Sequence, residues 1–156
     1  MRKLVRNALA FFIFGIFFLC VVNCSEKKQA SEFTPEDKSA ILKTLHDQEI
    51  AWNEGSPEEF MEGYWESDSM QFVGKTAINY GWQTTLDNYK LKYPDTVAMG
   101  KLRFEILKVN PVSPDAAWLT GRFFLKRSIG DLSGIFTIVF RKIGGKWVVV
   151  YDHTSG

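Results

Sequence analysis

Asp152 and His153 stand side by side near the end of this 156-residue chain, and His153 is one of only two histidines. An imidazole exchanges a proton near neutral pH, which makes His153 a candidate general base. Successive strand residues point to opposite faces, so Asp152 cannot orient His153 directly as in a catalytic dyad. One of the two is expected to face a cavity while the other caps the sheet edge. Alternatively, Asp152 or Thr154 ties down the chain end through backbone bonds. Arg103 and Glu105 are two apart and share one strand face, and Arg122 falls on the next strand. A carboxylate beside two guanidiniums can bind an anionic ligand or act as a base, so Glu105 is the second catalytic candidate. An ordinary cross-strand ion pair on the outer or dimer face is the favoured reading of the same three residues.

Gln48 sits on an apolar helical stripe, where a buried amide must bond backbone groups or face a pocket. Trp52, Tyr64, Trp82 and Tyr89 could line an aromatic site, although aromatics at helical spacing also build plain core. These four join Gln48, Arg103, Arg122, Asp152 and His153 as candidate pocket residues. Two histidines and no thiolate outside positions 20 and 24 make a poor metal set, so no metal is expected. No phosphate-cradling Gly loop and no Gly-x-Ser-x-Gly elbow occurs, and no cofactor is implied. No complete catalytic set is visible, which leaves enzymatic activity open.

Positioning falls to elements with clear signals. Thr34-Pro35-Glu36-Asp37 reads as a helix start, with Thr34 as N-cap and Pro35 in the first turn. Ile41, Leu45, Gln48 and Trp52 follow at helical spacing, and Gly55 stops the run. Ser56-Pro57-Glu58-Glu59 repeats the start signal for a short helix carrying Phe60, Met61 and Tyr64. Residues 70–80 read as a short hairpin turning near Gly74-Lys75. A third helix spans 82–93, with Trp82, Leu86, Tyr89 and Tyr93 on one side and Pro94 ending it. The period then becomes two. Leu102, Phe104 and Ile106 alternate with polar residues, and strands follow over 117–126, 134–141 and 146–153. Turns are expected at Pro111 to Asp115, at Ile129-Gly130-Asp131 and at Gly144-Gly145. Helices covering one face of such a meander give a two-layer α+β domain.

Residues 1–23 stand apart. Arg2, Lys3 and Arg6 precede an apolar run over 8–22 that is shorter than the ~18–20 residues of a spanning helix, so a signal peptide is expected. The run ends in Val21-Val22-Asn23-Cys24-Ser25, which resembles the lipobox of bacterial lipoproteins and implies lipid on Cys24. Cys20, after Phe18-Leu19, fits that pattern less well, and an ordinary secretory signal is the alternative. Residues 24–33 read as a polar tether and 34–156 as one domain. Taking Arg2, Lys3 and Arg6 from 19 Lys and Arg leaves 16, against 18 Asp and Glu, so a nucleic-acid partner is not expected. The implied setting is a bacterial cell envelope, at the outer membrane facing the periplasm.

Gln48 with Ala51-Trp52-Asn53, Phe60-Met61 with Tyr64-Trp65, and Gly81-Trp82 with Leu86 and Tyr89 form an ordered set. Gly121-Arg122 and Gly145-Lys146-Trp147, running to Asp152-His153-Thr154-Ser155, complete it. This set resembles the NTF2-like superfamily, in particular its SnoaL-like and DUF4440-type members, over about residues 34 to 155. The resemblance implies three N-terminal helices packed on a strongly curved antiparallel sheet that encloses a conical cavity. It also implies homodimers formed through the sheets. The ketosteroid isomerase relatives carry their base on the first hairpin, where this chain has Met70-Gln71-Phe72-Val73 and no carboxylate. The expected function is therefore binding of a small, mostly apolar molecule in the cone at the cell envelope. A SnoaL-like acid/base enzyme using His153 or Glu105, and an assembly module whose cavity is filled by side chains, are the alternatives.

Overall fold

The computed structural model describes residues 32–156; the signal segment and Cys24 lie outside them. Helix α1 spans Pro35–Glu54, α2 Pro57–Met61, α3 Trp82–Lys92 and the one-turn α4 Thr96–Met99. The strands are β1 (Gln71–Val73), β2 (Ile78–Tyr80), β3 (Lys101–Ser113), β4 (Ala116–Lys126), β5 (Leu132–Ile143) and β6 (Lys146–Ser155). They form one curved sheet in the order β2-β1-β6-β5-β4-β3, with the helices in its hollow. The α+β architecture expected from the sequence is the one observed. Two details differ: α4 is additional, and the hairpin docks with β1 parallel to β6, so the sheet is mixed rather than wholly antiparallel. The connectivity permits the parallel pairing, because β2, α3, α4, β3, β4 and β5 all lie between β1 and β6.

Pro111 lies inside β3 rather than in the following turn. β3 is an edge strand, where a missing N–H costs no ladder bond. One extra residue at Leu107 and another at Val112 shift the β3–β4 register, and such bulges bend a sheet. Gly144 and Gly145 turn β5 into β6 at φ 58° and 84°, the left-handed pair that a tight hairpin requires.

α1 is fastened to the sheet at both ends. At its start Asp37 is buried, and its side chain accepts four hydrogen bonds. The Thr34 N–H (3.0 Å) and hydroxyl (3.1 Å) reach Oδ2, while Lys142 Nζ (2.7 Å) and the Trp147 indole N–H (2.9 Å) reach Oδ1. The Thr34 hydroxyl accepts in turn from the Asp37 N–H, which completes the capping box. Phe33, assigned above to the tether, packs edge-on against Trp147 at 5.6 Å. Near the other end Asn53 pairs with both backbone groups of Leu102, and Glu49 accepts from the Phe104 N–H. These polar side chains satisfy β3 groups that no further strand would reach. Ile41, Leu45 and Trp52, fully or nearly buried, then fill the space between helix and sheet.

The Lys142 ammonium, the Trp147 N–H and the capping bonds hold the Asp37 carboxyl well below the usual carboxylate range. A carboxyl lowered in the folded state stabilises above its unfolded pKa, and that stability is lost as pH falls. Asp37→Asn is expected to cost roughly 3 kcal/mol in denaturant unfolding at pH 7, through the lost cap and a Lys142 left without its partner. The gap to wild type should close steadily below about pH 4; a gap independent of pH would reject the ionic account.

Candidate functional site

The hollow between helices and sheet is not filled by side chains: it holds a cavity of about 600 Å³. Volumes of this size accommodate a small organic ligand. Its walls are largely aromatic and aliphatic, with Phe60 from α2, Phe104 and Phe123 from β3 and β4, and Phe136 from β5. The strand phenylalanines face inward because each stands an even number of residues from a buried neighbour, as Phe136 does from Ile138 and Phe140. Trp52, Phe60, Tyr89 and Tyr93 pack edge-to-face at 4.9–5.7 Å and stiffen the helical side of the wall.

A buried polar cluster lies at the inner end of this lining. Asp152 is 5% exposed and accepts from the Tyr64 hydroxyl at 2.7 Å and the Thr154 hydroxyl at 2.7 Å. Tyr64 is held there by its backbone. Its segment runs parallel to β6 at Val149, with the Trp65 N–H donating to Val149 and the Val149 N–H to Gly63. Burial pushes the Asp152 carboxyl up to about 6, against the opposing pull of the Thr154 and Tyr64 hydrogen bonds and of nearby His153. Burial, and next the neighbouring Asp152 charge, push the Tyr64 and Tyr89 phenols well above 10. Near neutrality the cluster can therefore gain or lose one proton at Asp152 while both phenols remain donors. Gln48 borders the same inner end. Its amide donates to the Phe60 carbonyl at 3.0 Å, and its side chain lies so close over Gly63 that a Cβ there would meet it at 2.6 Å.

The structure brings together Gln48, Trp52, Tyr64, Tyr89 and Asp152 around this cavity, as the sequence suggested. The remaining candidates are elsewhere. Arg103, Glu105 and Arg122 lie on the outer sheet face, where Arg122 meets Glu105 at 3.3 Å with both side chains more than 40% exposed. Arg103 stacks on the outward Phe124 ring at 4.2 Å. Their neighbours Leu102, Phe104 and Gly121 face inward, which turns the charged residues outward by alternation. His153 is exposed on the same outer face and cannot act on the cavity's contents. Trp82 is half-buried and donates its indole N–H to the Met61 carbonyl at 2.8 Å, serving the α2–α3 junction rather than the cavity wall. Phe72, Phe104, Phe123, Phe136, Lys75 and Lys92 border the cavity and were not among the candidates. For the strand phenylalanines the two-residue spacing was the available signal; for the two lysines none was.

Comparison with known proteins places this geometry. No protein-family model and no curated protein matches the chain. Among solved structures, an NTF-2 like protein of unknown function from Shewanella oneidensis MR-1 is similar, at 36% identity and a TM-score of 0.74. The match covers 76% of this chain and 98% of that one. An NTF2-like protein of unknown function from Pseudomonas putida KT2440 aligns at 15% identity and TM-score 0.63, covering 80% and 89% of the two chains. A ketosteroid isomerase-like protein from Erwinia carotovora atroseptica SCRI1043 aligns at 17% and 0.60, covering 78% and 97%.

A carboxyl whose folded pKa is raised binds its proton more tightly in the native than in the unfolded chain. Stability then falls as pH rises from the unfolded value to the folded one. Relative to an Asp152→Asn variant, the wild type should lose about 3 kcal/mol between its ordinary value of 3.8 and about pH 6, and change little above that. Urea unfolding of both proteins over that range tests this; parallel curves would place Asp152 in contact with water.

Proposed function

This chain belongs to the NTF2-like family, and we propose that it binds a small, mostly apolar molecule in its cone-shaped cavity while anchored to the cell envelope through Cys24. The observation that carries the binding reading is the open cavity of about 600 Å³, walled largely by aromatic and aliphatic side chains, with a buried hydrogen-bonding cluster at its inner end. Apolar walls supply affinity through burial, and a few fixed polar groups supply orientation. Asp152 and Tyr64 are such groups.

A second reading has its own support. A buried carboxyl titrating at about 6, in hydrogen-bond contact with a buried phenol, is suited to moving a proton to or from a bound carbonyl compound. This acid/base reading rests on Asp152, with Tyr64 as a donor to developing charge, and not on His153 or Glu105. The assembly reading needed a filled hollow and has lost that premise.

Anchoring is supported by the Val21-Val22-Asn23-Cys24 segment and the short polar stretch after it. A homodimer is supported by the outer sheet face, where Ile135 is 52% exposed and Trp118 36%. Covering these side chains with a second copy would remove apolar surface from water.

Native mass spectrometry of the mature protein from its own envelope should show two chains and a retained molecule of a few hundred daltons. In solution, the neutral dye N-phenyl-1-naphthylamine should bind wild type, and Leu132→Trp at the cavity mouth should weaken it about ten-fold with an unchanged melting temperature. Equal dye binding by both would reject the cavity as the site. Radiolabelled palmitate should enter the wild type and not Cys24→Ala; equal labelling would reject Cys24 as the attachment point.

A further inference from the structure

The two ends of the cavity differ in chemistry. At the closed end Leu45, Gln48, Tyr64 and Asp152 are all at most 6% exposed. At the mouth the bordering residues are exposed: Lys75 and Thr76 from the β1–β2 hairpin, Leu91 and Lys92 from the end of α3, and Gly156. Among the described residues, Lys75 and Lys92 are the only basic side chains on the cavity lining, and Asp152 at the opposite end is the only acidic one. Neither lysine belongs to an ion pair among the described residues. The lysines come from different elements, so no local helix pairing accounts for their meeting at one opening. Leu91, 82% exposed between Lys90 and Lys92, keeps the rim apolar beside the charges. Four steps along the chain, at about 3.3 Å each, lead from Asp152 on β6 to Gly156 just past its end, which puts roughly 13 Å between the inner cluster and the mouth.

Resting on the binding reading above, we propose that the ligand is an anionic amphiphile about 13 Å long, its charged head held outward by Lys75 and Lys92 and its far end carrying a hydroxyl or carbonyl that meets Tyr64 and Asp152. The apolar walls take the chain between the two ends. A neutral ligand would gain nothing from the two exposed ammonium groups, and a cationic one would be repelled by them. A ligand with a purely apolar inner end would cover a buried carboxyl without bonding it, which costs free energy.

Isothermal titration of the described domain with dodecanoate, 12-hydroxydodecanoate, dodecyl phosphate, 1-dodecanol and dodecylammonium, each below its micelle concentration, tests this. Dodecanoate or dodecyl phosphate, or both, should bind about five- to ten-fold tighter than 1-dodecanol, the advantage expected of two exposed charge contacts. Whichever anion binds tighter identifies the head group. Dodecylammonium should bind more weakly than all of them. In the Lys75→Gln/Lys92→Gln double variant that advantage should vanish while 1-dodecanol binds as before, a result that misfolding could not produce. The terminal hydroxyl of 12-hydroxydodecanoate should preserve or improve affinity over dodecanoate. Equal binding of 1-dodecanol and both anions by the wild type would overturn the proposal and leave the binding reading standing. A ten-fold loss on adding the hydroxyl would overturn its inner half. Failure of every compound to bind would remove both readings together.

Discussion

Between Val149 and Tyr151 strand β6 carries one residue more than β5 opposite it, and the chemistry of the cavity depends on that extra residue. Phe140 pairs with Val149 and Val139 with Tyr151, so Val150 stands unpaired. Side chains alternate with a period of two, and a single inserted residue reverses their parity from that point onward. Trp147 and Val149 face the core before the bulge; Asp152 and Thr154 face it after. Were β6 regular through Val150, with no bulge, strict alternation from Val149 would turn Tyr151 and His153 inward, and the carboxyl would point to the outer face. The bulge also lies where the sheet edge changes partner. The segment around Tyr64 borders Val149, and β1 begins to pair at Tyr151. The chain turning off at this place is the one that delivers the Tyr64 hydroxyl to Asp152.

The helices must then be kept from closing over the cavity, because apolar walls facing one another across empty space would gain by collapsing. Two polar fastenings set their distance. At one end of α1 the Asp37 carboxylate joins the helix cap to Lys142 on β5 and Trp147 on β6; near the other, Asn53 and Glu49 bond the free edge of β3. Each fastening has a fixed bond length, unlike an apolar contact, so α1 is held at a set height in the curve of the sheet. The edge-to-face stack of Trp52, Phe60, Tyr89 and Tyr93 transmits that height to α2 and α3. Trp52 further donates to the Met99 carbonyl at 3.0 Å, which ties the stack to the end of α4, just before β3.

Local signals carried most of the architecture. Thr34, Ser56 and Pro94 mark helix ends through hydrogen bonds and sterics that act within four residues, and the alternation over 134–141 acts within one strand. The inward placement of Gln48 and Tyr64 was legible for the same reason, since helical spacing shows which face is apolar. Asp152 and His153 could not be told apart, because a bulge is a relation between two strands and leaves no mark in either alone. Glu105, Arg103 and Arg122 were correctly joined to one face, but alternation does not say which face is inward; the phenylalanines between them did, once Phe104 and Phe123 were seen to share the inner side. Lys75 and Lys92 lie 17 positions apart on a hairpin and a helix end, so only the fold brings them to one opening.

A buried carboxyl in an apolar hollow works against the stability of the domain that holds it, as its raised pKa shows. An apolar residue of similar size at 152 would remove that cost but leave the buried Tyr64 hydroxyl without its acceptor. The domain's own hydrogen bonds to Asp152 number two, fewer than an ionised carboxylate can accept. The capacity left over points toward the cavity. A ligand donating there would recover part of the desolvation cost in the bound state only, and such a difference between free and bound forms is what selectivity for a polar-ended molecule consists of. The stability lost at Asp152 and the specificity proposed for the cavity thus have one origin: a charge site held away from water, with one side left open to whatever enters.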